Sequence, residues 1–306
     1  MNNYIDILLK WSIGEELFVR EVKSSKIVKQ VKVNNGKTYY LKLKESIDEI
    51  ERELYLQTTL KKYNVPTSMP LISVDNLYYT FHNEDIYCLY EELPGSHVTD
   101  FFNLEQVYLI GEALSRLHIG LEHCNPNMFN TKNMDIMKQL IEWAIPESKK
   151  LDKNINNIEE YLISNFFPNI NSLSKQIIHR DTHPQNILFD NKKLSGFIDF
   201  DISTVGFRIF DLCYCSTAIL MSDFSNQKLK NEWLNIFKHL YEGYTSNITL
   251  SNVEIKSLFP ILLSIQLIFI AFFKDRNEDI ARINLEGLYW IYKNKDKIEK
   301  ALITIA

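Results

Sequence analysis

An α+β fold in two lobes is what this sequence predicts: a small β-rich N-terminal lobe with one helix and a larger, mainly helical C-terminal lobe. Three observations predict it. The first ninety or so residues alternate like strands and are broken by a single segment of helical period. Pro94-Gly95-Ser96 then interrupts the pattern and sets a boundary, giving lobes of 1–93 and 94–306. Beyond it small or apolar residues recur at helical spacing, beginning with Leu104, Val107, Gly111, Leu114 and Leu117.

In the first lobe Leu17 to Val22, Ile27 to Val33 and Thr38 to Leu43 are rich in β-formers, and Asn34-Asn35-Gly36 supplies the turn between the last two. Ile47 to Tyr63 has helical periodicity and stops at Asn64-Val65-Pro66. Leu77 to Phe81 and Ile86 to Leu93 read as another hairpin across Asn83-Glu84. In the second lobe helices are expected near 132–145, 154–166, 208–222, 226–246, 252–273 and 279–301. Leu258 to Phe273 is almost wholly apolar, but it is interrupted by Pro260, Ser264 and Gln266 and is shorter than the ~20 residues of a membrane span. It is expected to be a buried helix, with no membrane partner.

Composition narrows the function classes. The 306 residues are 45% hydrophobic and 24% charged, an ordinary globular balance. A net charge of −5 leaves no basic footprint for nucleic acid. Cys88, Cys124, Cys213 and Cys215 have neither a disulfide framework nor paired zinc spacing. With a start that carries no basic or continuous apolar leader, they point to the cytoplasm. Monomer and homodimer both stay open.

The chemistry is concentrated in two stretches, His179-Arg180-Asp181-Thr182-His183-Pro184-Gln185-Asn186 and Gly196-Phe197-Ile198-Asp199-Phe200-Asp201. In protein-kinase-type sites an Asp accepts the acceptor hydroxyl's proton, an Asn five residues on holds magnesium, and a later Asp holds magnesium too. Here these are Asp181, Asn186 and Asp199. The residues between read as a hairpin folded at 192 and 193, which is expected to return Asp199 to the level of Asn186. Two oxygen donors there suit a hard cation. Arg180 and His183 flank the base, and His183 stands where a group near the transferred phosphoryl is wanted. Zinc on His179 and His183 is the rival, but Pro184 disfavours the helix that it needs.

A phosphoryl-transfer site also needs a lysine on the phosphates and an acid to hold it. Alternation puts Tyr40, Lys42 and Lys44 on one face of their strand, and Lys42, between two leucines, is expected to be the interior lysine. Glu53 falls on the apolar arc of the following helix and is the expected partner of Lys42, with Glu49 as fallback. The turn Lys23-Ser24-Ser25-Lys26 has no glycine, so a Gly-rich phosphate loop is absent; Ser24 and Ser25 are the candidates there. Tyr90-Glu91-Glu92-Leu93, just before the break, is where backbone groups would read the adenine edge.

Together these residues resemble the aminoglycoside phosphotransferase and choline kinase superfamily, which includes homoserine kinase-like enzymes and has a bilobal protein-kinase-like fold. Its H-x-D-x-H-P-x-N motif is matched by His179 to Asn186, and its I-D-[FW]-[DE] motif by Ile198-Asp199-Phe200-Asp201. Leu114-Ser115-Arg116-Leu117-His118 looks like its L-x-x-L-H helix end, and Leu93-Pro94-Gly95 like its turn after the hinge. Arg180 departs from the family's usual Gly or Asn. The resemblance implies a small-molecule kinase using ATP, with GTP as the alternative donor, and Mg2+, acting on a small hydroxylated acceptor that can be cationic. Asp100, Asp201, Asp275 and Glu278 are the nominated acceptor residues; for Asp201 and Asp211 support of the loop is the expected role and direct metal contact the alternative. The alternatives are an inactive nucleotide-binding scaffold and a protein Ser/Thr kinase.

Overall fold

The computed structural model describes residues 4–13, 17–22, 25–132 and 135–305. Its contacts separate Met1–Ser96 with Leu188–Asp201 from His97–Ile187 with Ile202–Ala306. A single cut after residue 93 would leave 188–201 with the helical lobe, whereas packing joins that segment to the β-rich unit.

In the β-rich unit a short helix, Ile5–Leu8 (α1), precedes strands Leu17–Val22 (β1), Ser25–Val33 (β2) and Thr38–Lys44 (β3). Helix Ile47–Lys62 (α2) and strands Thr80–His82 (β4) and Asp85–Glu91 (β5) follow. The five strands form one antiparallel sheet in the order β1-β2-β3-β5-β4. Gly36, at φ +85°, makes the expected turn between β2 and β3 in a left-handed conformation that favours glycine. The Ser46 side chain accepts from Glu49 N and caps α2. One face of the sheet buries Val31, Val33, Tyr39, Leu41 and Leu89 beneath Ile7, Leu8 and Trp11. The opposite face packs Cys88 and Tyr90 against Ile50 of α2.

The hairpin of Ile187–Asp190 and Lys193–Phe197 turns on Asn191 and Lys192, both at positive φ, as a two-residue type I′ turn requires. That is one residue earlier than the sequence suggested, because asparagine tolerates the left-handed region. The second arm is tied to the β-rich unit by backbone: Phe197 N donates to Pro66 O at 3.0 Å and Ser68 N donates to Phe197 O at 3.2 Å. Gly95 lies so close to the Phe189 carbonyl that any Cβ would collide with it.

The second unit is mostly helical. Helix Leu104–Glu122 (α3) crosses Gln227–Thr245 at Gly111 and Gly243, where each glycine faces the other helix's backbone and a methyl group could not fit. Helices Arg208–Met221 and Asn252–Phe273 follow the sequence reading closely. The last expected helix is instead two, Glu278–Lys293 and Lys295–Ile305, parted at Asn294. The region near 132–145 becomes short turns of helix, including a π-type turn over Leu140–Ala144. A two-stranded ribbon, Lys175–Ile178 with Thr204–Phe207, was not anticipated, since four-residue strands leave little periodicity to read. Helix Asn252–Phe273 is long and apolar enough to cross a membrane, but 72% of its most apolar window is buried inside the protein, as a core helix is. The four cysteines are free and buried.

Candidate active site

The loop from His179 to Asn186 leaves the strand Lys175–Ile178 and is held by one carboxylate. Asp211, fully buried in the first turn of helix Arg208–Met221, accepts from the backbone N–H groups of His179 and Arg180, each at 2.9 Å. Its own carbonyl accepts from Thr182 Oγ1 at 2.8 Å. On the other side His118 Nε2 lies 3.0 Å from Asp211 Oδ2, and His118 Nδ1 lies 2.7 Å from the Tyr244 hydroxyl. The L-x-x-L-H helix end therefore supplies the buried imidazole that orients Asp211. Arg180 itself adopts φ +70°, a left-handed backbone that costs a non-glycine residue about 1–2 kcal/mol and is kept where the surroundings demand it.

This loop presents Asp181. Tyr214 Oη donates to its Oδ1 at 2.7 Å, and Asn186 Nδ2 donates to its Oδ2 at 3.1 Å and to its backbone carbonyl at 2.8 Å. With Nδ2 committed to Asp181, the Asn186 Oδ1 is the atom left for a cation. His183 Nε2 stands 3.7 Å from Asp181 Oδ2, and the Asp181 backbone N–H donates to His179 Nδ1 at 3.3 Å. Burial lowers the Arg180 pKa, and the nearby Asp211 charge only partly offsets that. Tyr214 escaped the sequence reading. Its signal was available: it sits three residues after Asp211, one turn along the same helix face. Burial first, then the Asp181 charge, pushes its hydroxyl far above the ordinary tyrosine range, so it stays a donor.

In the β-rich unit the expected pairing of Lys42 with Glu53 is replaced. Lys44, not Lys42, is the buried lysine and meets Glu53 Oε2 at 2.6 Å and Glu49 Oε1 at 3.5 Å. Both lysines share one face of β3, as alternation predicted, but α2 covers the Lys44 end of the strand. Glu53 also accepts from Tyr90 Oη at 2.9 Å and from Gln57 Nε2 at 2.8 Å. Asp201 completes this knot through Lys44 at 2.7 Å, so its position is a supporting one. Lys42 instead bridges Asp199 Oδ1 at 2.7 Å and Asp201 Oδ2 at 2.5 Å. Burial opposes the charge on both lysines, yet the neighbouring carboxylates win and raise both pKa values. Burial likewise works against the Asp201 charge, and the two ammonium groups overcome it, holding the carboxyl down at about 2. Asp199 is exposed and, like Arg180, left-handed at φ +66°.

A lysine ammonium bridging Asp199 and Asp201 marks a place built to hold positive charge. Among the described residues no three His, Cys, Asp or Glu side chains converge as a metal cage. Each unit offers one oxygen donor of the kind that magnesium takes, the Asp199 carboxylate in the β-rich unit and the Asn186 Oδ1 in the helical unit.

The remaining nominated residues fall elsewhere. Ser24 lies outside the described residues, and Ser25 opens β2 by its backbone. Glu91 is exposed and paired with Lys37 at 2.7 Å, and Leu93 lies against Gly196. Asp100 is exposed and accepts from Phe102 N at 3.0 Å within its own turn. Asp275 is paired with Lys274 at 2.9 Å and Glu278 with Arg282.

Comparison with known proteins identifies the fold and the family. The homoserine kinase of Zymomonas mobilis is 28% identical over 186 residues, 58% of this chain and 53% of that protein. That of Brucella ovis is 30% identical over 162 residues, 50% of this chain and 45% of that protein. The chain thus spans about half the length of the curated relatives that it matches. Among solved structures, the amicoumacin kinase hAmiN, in complex with AMP-PNP, Ca2+ and Ami, superposes with a TM-score of 0.71 at 16% identity, covering 96% of this chain and 91% of that one. An aminoglycoside phosphotransferase from Alicyclobacillus acidocaldarius gives 0.67 at 13% identity, covering 98% and 94%. These likenesses establish the fold as protein-kinase-like, with its β-sheet N-terminal and its helices mostly C-terminal. A family model described as the phosphotransferase enzyme family matches residues 20–246, well over half of the sequence, and the chain belongs to that family.

Proposed function

We propose that the protein is a small-molecule kinase that moves the terminal phosphoryl group of ATP to a hydroxyl of a small acceptor. The observation that carries this reading is the state of Asp181, a carboxylate held from both sides by Tyr214 and Asn186 on a loop whose backbone is fixed by Asp211. A base so held is preorganised for an incoming alcohol. In the proposed step Asp181 takes the hydroxyl proton as the alcohol oxygen bonds to the γ-phosphorus. The bond from that phosphorus to the bridging oxygen breaks, and its electron pair leaves with ADP. Asn186 and Asp199 are the residues proposed to hold magnesium, which when bound neutralises phosphate charge. Lys42 is the proposed phosphate contact, since it gives up only flanking carboxylates, and Lys44, the lysine that Glu53 holds, is the alternative. His183 stands near enough to Asp181 to take part in closing the site around the transferred group.

The test is phosphoryl transfer by purified protein with Mg-ATP, and in parallel Mg-GTP, against homoserine, choline, kanamycin, sugars and ring-bearing alcohols. Product phosphate ester, absent with Asp181→Ala, supports the reading; nucleotide binding without ester from any acceptor removes it.

A further inference from the structure

One feature of the helical unit extends beyond that step. A row of aromatic rings starts at the base and runs outward. Tyr214, whose hydroxyl holds Asp181, stacks with Phe210 at 6.2 Å between ring centres and meets Phe269 at 5.6 Å. Phe269 stacks on Phe273 at 6.0 Å with the planes 16° apart, and Phe273 meets Phe272 edge-on at 5.0 Å. Phe269 and Phe273 are four residues apart on helix Asn252–Phe273 and so share one face of its last turn and a half. This helix is buried along most of its length, but its end is not: Tyr214, Phe269 and Phe273 are half-buried and Phe272 is 41% exposed. Partly open aromatic surface continuous with a catalytic group is where a ligand is recognised.

The charges beside the row favour a neutral partner. Lys274 pairs with Glu147 and Asp275, each at 2.9 Å, and Glu278 pairs with Arg282. The Arg276 guanidinium lies over the Phe272 ring at 4.1 Å. Asp275 and Glu278 are thus each matched by a cation of the protein, whereas a polycationic acceptor would call for uncompensated carboxylates. Flat rings offer stacking and dispersion instead.

We infer that this row is the acceptor subsite and that the alcohol phosphorylated by the protein carries an aromatic or similarly flat apolar ring. The inference rests on Asp181 being the base: a hydroxyl that reaches Asp181 from the Tyr214 side brings the next atoms of the acceptor beside the Tyr214 ring, which Phe269 adjoins.

The test uses 2-phenylethanol as a neutral ring-bearing alcohol, with binding and transfer read separately. In saturation-transfer NMR of the full chain with Mg-ADP, 2-phenylethanol should bind wild type and lose at least five-fold in affinity in Phe269→Ala. Phe269→Leu, which keeps volume without a ring, should fall between. With Mg-ATP, ring-bearing alcohols should exceed homoserine and kanamycin in kcat/KM by at least ten-fold. Binding that is lost in Phe269→Ala but gives no phosphate ester with any acceptor would keep the row as a ring-binding site, sink the kinase reading and with it overturn the row's role as acceptor subsite. Preferred transfer to homoserine or kanamycin would overturn the subsite and keep the kinase. Failure of 2-phenylethanol to bind wild type, or equal binding by wild type and variants, would overturn the subsite.

Discussion

The two units organise their polar residues by opposite means. In the β-rich unit Lys42, Lys44, Glu49, Glu53, Asp199 and Asp201 form a cluster of full charges joined by contacts of 2.5–3.5 Å. In the helical unit the loop bearing Asp181 is held by a single buried carboxylate, Asp211, whose partners are backbone N–H groups and a histidine. Charge pairs can be exchanged when a new ion arrives, because the desolvation of each group has already been met. A backbone-anchored loop cannot be rearranged without exposing its amides. On the proposed function, the first arrangement would suit a nucleotide and its cation, which come and go, and the second a base that must not move.

Variants can break this contrast. The largest effect is expected on the helical side: Asp181→Asn should lower kcat by about 10³-fold, within the range for loss of a positioned base, with the KM for ATP nearly unchanged. Steady-state kinetics on any accepted alcohol check it, and a parallel rise in the ATP KM would contradict the division of labour. Next, Lys44→Ala should cost about 3 kcal/mol of stability, because Glu53 and Asp201 lose their buried counter-ion. Urea denaturation with an unchanged m-value measures it. Lys42→Ala sharpens the difference between neighbours: it should raise the KM for ATP about ten-fold, ~1.4 kcal/mol, with a smaller stability change. If Lys44 carried the nucleotide instead, the two phenotypes would be exchanged.

The smallest effect concerns pH. Glu254 caps its helix and takes two hydrogen bonds from Arg208, from Nε at 2.6 Å and from Nη2 at 3.0 Å. Burial alone would raise its pKa, but the Arg208 contacts outweigh that and lower it. A depressed carboxyl stabilises the fold above its unfolded pKa, near 4.3, and loses that contribution as pH falls through its folded value. Stability should therefore decline below about pH 4, by at most ~1 kcal/mol from this pair because solvent reaches Arg208. Glu254→Gln should flatten that part of the curve in thermal melts taken from pH 3 to 6.

The same contrast explains what could be read in advance. Alternation around Leu41 and Leu89, the Asn-Asn-Gly turn and the helical period from Ile47 are local signals, and their elements formed close to the expected bounds, whereas the strand expected over Leu77 to Phe81 is Thr80–His82. The loop residues from His179 to Asn186 were legible because phosphoryl-transfer chemistry dictates both their types and their spacing. The choice between Lys42 and Lys44 was not, because period two fixes the face of a strand but not which end a helix will cover. Tyr214 was missed because a tyrosine in an apolar helix reads as packing, and only its spacing from Asp211 marked it. The ribbon of Lys175–Ile178 and Thr204–Phe207 forms between segments far apart in sequence, which no local pattern records.

The Lys44 knot has an implication for how the chain can be divided. One of its carboxylates, Asp201, arrives from a stretch more than a hundred residues downstream of the sheet that it serves. A fragment ending at Ser96 would carry a nearly solvent-free ammonium short of one of its counter-ions, and the edge at Pro66–Ser68 would lack its Phe197 neighbour. Cutting this protein at the apparent junction should thus yield a piece that needs the peptide 188–201 supplied in trans before it adopts its sheet.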